Sequence, residues 1–152
     1  MQHPFDIAAD LDTPVSAFLK LGPLRPRFLL ESVEGGERLG RYSFIGFGEA
    51  LEVRLQDGKL RVGAAAGPVP QDRAGLLDAF RDALRSIRRP LPEIPGLPFS
   101  GGLVGVTGFE MAGRFERLRM PAATNGDPEA LYVAPGSILA FDHVSRRVAL
   151  LH

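Results

Sequence analysis

The 152-residue sequence contains no cysteine, and its three histidines, His3, His143 and His152, lie far apart. A chain without cysteine cannot form disulfides, thiolate nucleophiles or cysteine-ligated zinc and iron–sulfur sites. Scattered histidines do not make the paired ligands of a histidine metal site either. We therefore expect no metal chemistry within these residues.

The chain also lacks an excess of charge, because 18 basic and 18 acidic side chains cancel. Proteins that bind nucleic acid non-specifically need surplus Lys and Arg to displace phosphate counterions, so no nucleic-acid partner is expected. No run of about 18 apolar residues is present, and Asp6 and Asp10 are not typical of a signal peptide. We expect no membrane association and a cytoplasmic protein.

What the chain does have is an ordinary globular composition, with 45% hydrophobic and 24% charged residues. A chain of this length usually forms one domain. We predict a single domain over residues 1–152.

The first predicted elements are a helix and a strand. Thr13 before Pro14 is typical of a helix N-terminus, and Gly22 would end that helix. The apolar run 27–32 predicts a buried strand.

A hairpin follows. Residues 42–47 predict a second strand, and apolar and polar residues then alternate over 51–55. Asp57 and Gly58 form a type I′ turn signal, beyond which residues 60–62 continue as the returning strand.

Residues 63–70, rich in Ala, Gly and Pro, predict a loop, and Asp72 then predicts the cap of the clearest helix. Its apolar residues recur at helical spacing. They are Leu76, Leu77, Phe80, Ala83, Leu84 and Ile87.

Three arginines, Arg85, Arg88 and Arg89, close this helix before Pro90. We interpret them as complementing the negative end of the helix. A phosphate site is the less favoured alternative.

The remaining chain adds more strands than helices. We predict an extended connector over 90–98, a glycine-rich strand over 101–109 that another backbone can approach closely, a loop over 120–130, and strands over 138–141 and 148–151. Strand clusters joined by hairpins predict an α+β fold, with a mainly antiparallel sheet and a few flanking helices.

Catalytic and nucleotide-binding motifs are missing. The glycines at 46–48 and 102–108 do not fit GxGxxG or a phosphate-binding loop, and neither HExxH nor GxSxG occurs. Glu110 and His143 are better interpreted as solvated residues at strand ends than as parts of a site.

The most informative stretch is Leu29-Leu30-Glu31-Ser32, a glycine-bearing bend, and Gly40-Arg41-Tyr42-Ser43-Phe44-Ile45-Gly46. An amino-acid site requires acceptors for the ammonium, donors for the carboxylate, a cation and an aromatic wall, and this stretch contains all four. Taken alone, these residues fit a plain strand edge better.

At these residues the sequence resembles the amino-terminal region of anthranilate synthase component I. Two further stretches resemble the same family, residues 98–105 and Phe141-Asp142-His143 followed by a strand. The resemblance runs in order along essentially the whole chain.

The resemblance implies a site for L-tryptophan as feedback inhibitor. It assigns Ser32 to the main-chain polar groups of the ligand, Glu31 to its ammonium and Tyr42 to its indole. The complete set of expected ligand-binding residues is Leu30, Glu31, Ser32, Arg41, Tyr42 and Ser43.

The resemblance also implies a larger enzyme, which converts chorismate and ammonia to anthranilate. Its partners would be its own carboxy-terminal chorismate-binding domain and a glutamine amidotransferase subunit, component II. The catalytic groups and the Mg²⁺ carboxylates would lie in that further domain, so we assign no catalytic residue here and expect this chain alone to be non-catalytic. The apolar run that reaches Leu151 fits such a continuation.

Some residues depart from the family pattern. Residues 106–110, Val-Thr-Gly-Phe-Glu, stand where the family usually has an aromatic residue and then Gly-Tyr-Asp. Two alternatives stay open: the matching domain of para-aminobenzoate synthase component I, and a free-standing amino-acid-binding or interaction module.

Overall fold

A computed structural model describes residues 5–8, 11–31, 40–120 and 126–152. The strand pairings in it are antiparallel, which confirms the predicted α+β fold. The described elements are β1 (Ile7–Ala8), α1 (Pro14–Lys20), β2 (Pro26–Glu31), β3 (Tyr42–Gln56), β4 (Lys59–Val62), β5 (Ala65–Pro68), α2 (Arg73–Ser86), β6 (Val104–Thr107), α3 (Ala112–Phe115), β7 (Ala130–Asp142) and β8 (Arg147–Leu151).

The chain divides into two compact units. The first, called the terminal unit, comprises Met1–Ala50, Arg88–Gly101 and Pro135–His152. The second, called the central unit, comprises Leu51–Ile87 and Gly102–Ala134. Strands β3 and β7 are long enough to contribute residues to both.

In the terminal unit, helix α1 begins where the sequence predicts. The Thr13 hydroxyl accepts a hydrogen bond from the Ser16 amide at 3.1 Å, and the Ser16 hydroxyl accepts one from the Thr13 amide at 3.0 Å. This reciprocal capping box satisfies two amides that a helix start leaves without partners. The helix ends at Lys20, before a 3₁₀ turn over Gly22–Leu24.

Strands β2 and β3 separate two apolar clusters of the terminal unit. Leu29 lies opposite Ile45, and Leu30 lies opposite Phe44. Because successive strand residues point to opposite faces, these pairs lie on different sides of the sheet. Ile45 packs with Phe141 and residues of α1, whereas Phe44 belongs to the other cluster.

In the central unit, strands β3, β4 and β5 form consecutive antiparallel pairs. Asp57 and Gly58 both have positive φ, 51° and 69°, which confirms the predicted turn. Two predictions were wrong here. Residues 42–56 form one continuous strand, and Ala65–Pro68 is a strand, because pairing with β4 satisfies its backbone despite a loop-like composition.

Helix α2 covers the central core. The Asp72 carboxylate accepts a hydrogen bond from the Gly75 amide at 2.8 Å, so the predicted cap is confirmed. Leu76 and Ala83 are buried with Val53 and Leu55 of β3. Leu84 remains half exposed, contrary to the predicted core face.

The predicted glycine strand is shorter than expected, and α3 was not predicted. Only Val104–Thr107 pair with β7, and the backbone approaches Gly105 closely there, as expected. Residues 121–125 of the predicted loop lie outside the described residues. None of the described helices has the length and apolar character needed to cross a membrane.

Candidate functional site

An ion pair joins Arg41, which directly precedes β3, to Asp142 at the end of β7. Arg41 donates to both carboxylate oxygens of Asp142, from Nε at 3.3 Å and from Nη2 at 3.0 Å. The amides of Val144 and Ser145 donate to the same carboxylate. Burial by itself raises the pKa of Asp142, but these hydrogen bonds outweigh it and hold the pKa below its ordinary value.

Tyr42 and Arg41 border a cavity of about 630 Å³, a size typical of small-molecule sites. The Arg41 guanidinium lies 4.9 Å from the centre of the Tyr42 ring, which is cation–π geometry. The lining residues are Phe5, Arg41, Tyr42, Ile94, Pro95, Asp142, Ser145 and Arg147. We call this the strand-end cavity.

The strand-end cavity joins apolar walls to a surplus of positive charge. Phe5, Tyr42 and Ile94 provide apolar surface. Two guanidiniums face one carboxylate, so the lining carries a net positive charge. Such a lining suits a ligand with an aromatic body and a carboxylate.

Ser43 does not line the strand-end cavity and is hydrogen-bonded to His143 instead. It is buried, and its hydroxyl lies 2.8 Å from Nε2 of His143. The His143 amide also donates to the Arg41 carbonyl at 2.9 Å. Ser43 therefore helps to join β3 to the turn after β7, a contact that the solvated interpretation of His143 missed.

Leu30 and Glu31 lie at the exposed end of β2, beside the start of β3. Glu31 is opposite Ser43, and Leu30 is opposite Phe44, on the Tyr42 side of the sheet. The described candidate residues therefore gather at one end of the β2–β3 ladder but divide between its faces. Ser32 lies outside the described residues.

Sequence reasoning missed several cavity residues. Phe5, Ile94 and Arg147 come from distant segments and carry no motif of their own. Asp142 had a usable signal, because Phe141-Asp142-His143 is one of the stretches that resemble the family.

The sequence was compared with those of known proteins. No family model matches the chain. It is 37% identical to anthranilate synthase component 1 of Neisseria gonorrhoeae over 96% of its own length, and 38% identical to that of Thermus thermophilus over 95%. The resemblance to anthranilate synthase component I is confirmed.

The similarity covers only part of each relative. This chain spans 31% of the Neisseria anthranilate synthase component 1 and 29% of the Thermus one. The chain therefore corresponds to a domain-sized part of such a protein.

A solved structure shows the same fold. The crystal structure of anthranilate synthase component I from Streptococcus pneumoniae matches all of this chain with a TM-score of 0.58, at 20% identity. The match covers 32% of that chain.

Proposed function

We propose that this chain is the amino-terminal regulatory domain of an anthranilate synthase component I and binds L-tryptophan as feedback inhibitor. The observation that carries the proposal is the strand-end cavity, which places Tyr42 and Arg41 beside apolar walls and net positive charge. Similarity along nearly the whole chain supports the same family.

Each candidate residue then has a defined role. Tyr42 packs against the indole and Arg41 faces the carboxylate, both in the strand-end cavity. The resemblance assigns Glu31 to the ligand ammonium and Ser32 to its main-chain polar groups, and Glu31 does not itself line the cavity. Leu30 supplies apolar surface on the Tyr42 side. Ser43 acts indirectly, because its hydroxyl is already bonded to His143.

The parent enzyme would convert chorismate to anthranilate, with ammonia from component II and Mg²⁺ in its chorismate-binding domain. Tryptophan would inhibit it by binding one arrangement of the enzyme more tightly than another. This domain would supply the inhibitor site and no catalytic group.

Calorimetric titration of the chain with L-tryptophan tests the site. Tyr42→Leu removes the aromatic ring from the cavity lining but keeps an apolar side chain there, and we expect a dissociation constant about tenfold higher, equivalent to about 1.4 kcal/mol. Phe109→Leu is the matched control, because it also replaces an aromatic ring with leucine but lies at an exposed position of the central unit. Equal affinities for the two variants would contradict the proposed site.

A further inference from the structure

A second cavity of about 510 Å³ lies in the terminal unit. It borders the beginning of β2, where Pro26 pairs with Phe47, whereas Leu30 and Glu31 lie at the other end of that strand. Its lining shares no residue with the strand-end cavity. The lining consists of Leu24, Phe47, Gly48, Glu49, Arg88, Arg89, Pro90, Gly136, Ser137 and His152.

Two arginines give this cavity its charge. Arg88 and Arg89 are exposed, and neither forms an ion pair or hydrogen bond within the described part of the chain. By contrast, Arg85 nearby in sequence is paired with Asp82. Glu49 also lines the cavity, so the two guanidiniums face one side-chain carboxylate.

The cavity also contains a buried hydroxyl. Ser137 is 8% exposed, and its Oγ lies 2.8 Å from Nδ1 of His152. Nε2 of that ring has no hydrogen-bond partner among the described residues. When the Ser137 hydroxyl donates to Nδ1, the Nε2–H of His152 is left to donate to an oxyanion together with the two guanidiniums.

Two glycines line this cavity. Gly48 has a φ of +84°, and a Cβ there would stand 3.8 Å from the Ser137 hydroxyl. A Cβ at Gly136 would approach the Glu49 carbonyl oxygen to 3.0 Å. Phe47, Leu24 and Pro90 complete the lining with apolar surface.

We infer that this cavity binds a small molecule in which an oxyanion, a carboxylate or a phosphate, is attached to an apolar group. Arg88 and Arg89 bind the oxyanion, with Ser137 and His152 beside it, while Phe47 and its apolar neighbours contact the rest. The inference does not depend on the proposed tryptophan site. It gives the two arginines a role other than complementing a helix end.

Titration of the chain with phenyl phosphate, benzoate and inorganic phosphate tests the inference. We expect saturable binding of phenyl phosphate or benzoate, with the tighter of the two identifying the phosphate or carboxylate class. Inorganic phosphate should bind more weakly than phenyl phosphate, because it leaves the apolar walls uncovered. L-Tryptophan should not displace the probe.

The decisive variant is Arg88→Ala/Arg89→Ala, for which we expect a dissociation constant at least tenfold higher. Arg117→Ala/Arg119→Ala removes the same charge from two exposed positions of the central unit and should leave the constant within twofold. Thermal unfolding of both variants verifies that they fold. Absence of saturable binding by all three probes, or equal weakening by the two double variants, would overturn the inference.

Discussion

At the scale of single residues, the Asp142 carboxylate organises the strand-end cavity through its hydrogen bonds with Arg41 and two backbone amides. Because its pKa is lowered in the folded protein, the stabilisation is present above the ordinary value of 3.8 and is lost as the pH falls below it. We predict that Asp142→Asn lowers the free energy of unfolding at pH 7 by about 1–3 kcal/mol. Urea unfolding from about pH 7 down to about pH 2 should show this difference narrowing. Asp127→Asn, at an exposed position, should show no comparable loss, and a gap that is constant with pH would refute the argument.

Ser43 provides a second test at this scale. Its buried hydroxyl already bonds with His143, so we predict that Ser43→Ala costs about 1 kcal/mol of stability. L-Tryptophan affinity should change little, because the hydroxyl does not contact the ligand. Chemical unfolding and calorimetric titration measure the two quantities separately. Weaker binding with unchanged stability would instead place Ser43 in the ligand site.

At the scale of elements, the pairing of β6 with β7 requires a glycine. A Cβ at Gly105 would collide with the Leu131 carbonyl oxygen and stand 2.6 Å from the Tyr132 Cα, and these backbone atoms cannot move aside as a flexible side chain does. We predict that Gly105→Ala lowers the free energy of unfolding by about 1–3 kcal/mol or more. Gly67→Ala in β5 meets nothing within 4 Å and should be neutral or stabilising. Denaturant unfolding of both variants measures the two changes in the free energy of unfolding. Equal changes would contradict the prediction.

Some of these elements could be predicted from the sequence and others could not. The helix caps at Thr13 and Asp72 and the turn at Asp57-Gly58 are formed by residues adjacent in sequence. They can therefore be predicted from the local sequence. Strand β5 depends on its pairing with β4, and no local signal marks it. The candidate site divides in the same way. Arg41 and Tyr42 come from one motif, whereas Phe5 and Arg147 join them only through the tertiary fold.

At the scale of the whole molecule, exposed apolar side chains coincide with zero net charge. Leu11 is 95% exposed and Phe109 80% exposed, while the formal charge at pH 7 is zero. Proteins without net charge lose the repulsion that keeps molecules apart, so apolar surface can drive association. We predict that the weight-average mass of the chain at pH 7 rises with concentration.

Phe109→Glu tests which of the two properties dominates this association. The substitution removes an apolar side chain and adds one negative charge, whereas Gln71→Glu adds the same charge at an exposed polar position. Because Phe109 is so exposed, its loss should cost little stability. If apolar contact drives association, Phe109→Glu suppresses it in sedimentation velocity and Gln71→Glu does not. Equal suppression by both variants would show that charge alone controls the association. A weight-average mass that stays constant at every concentration would contradict the predicted association.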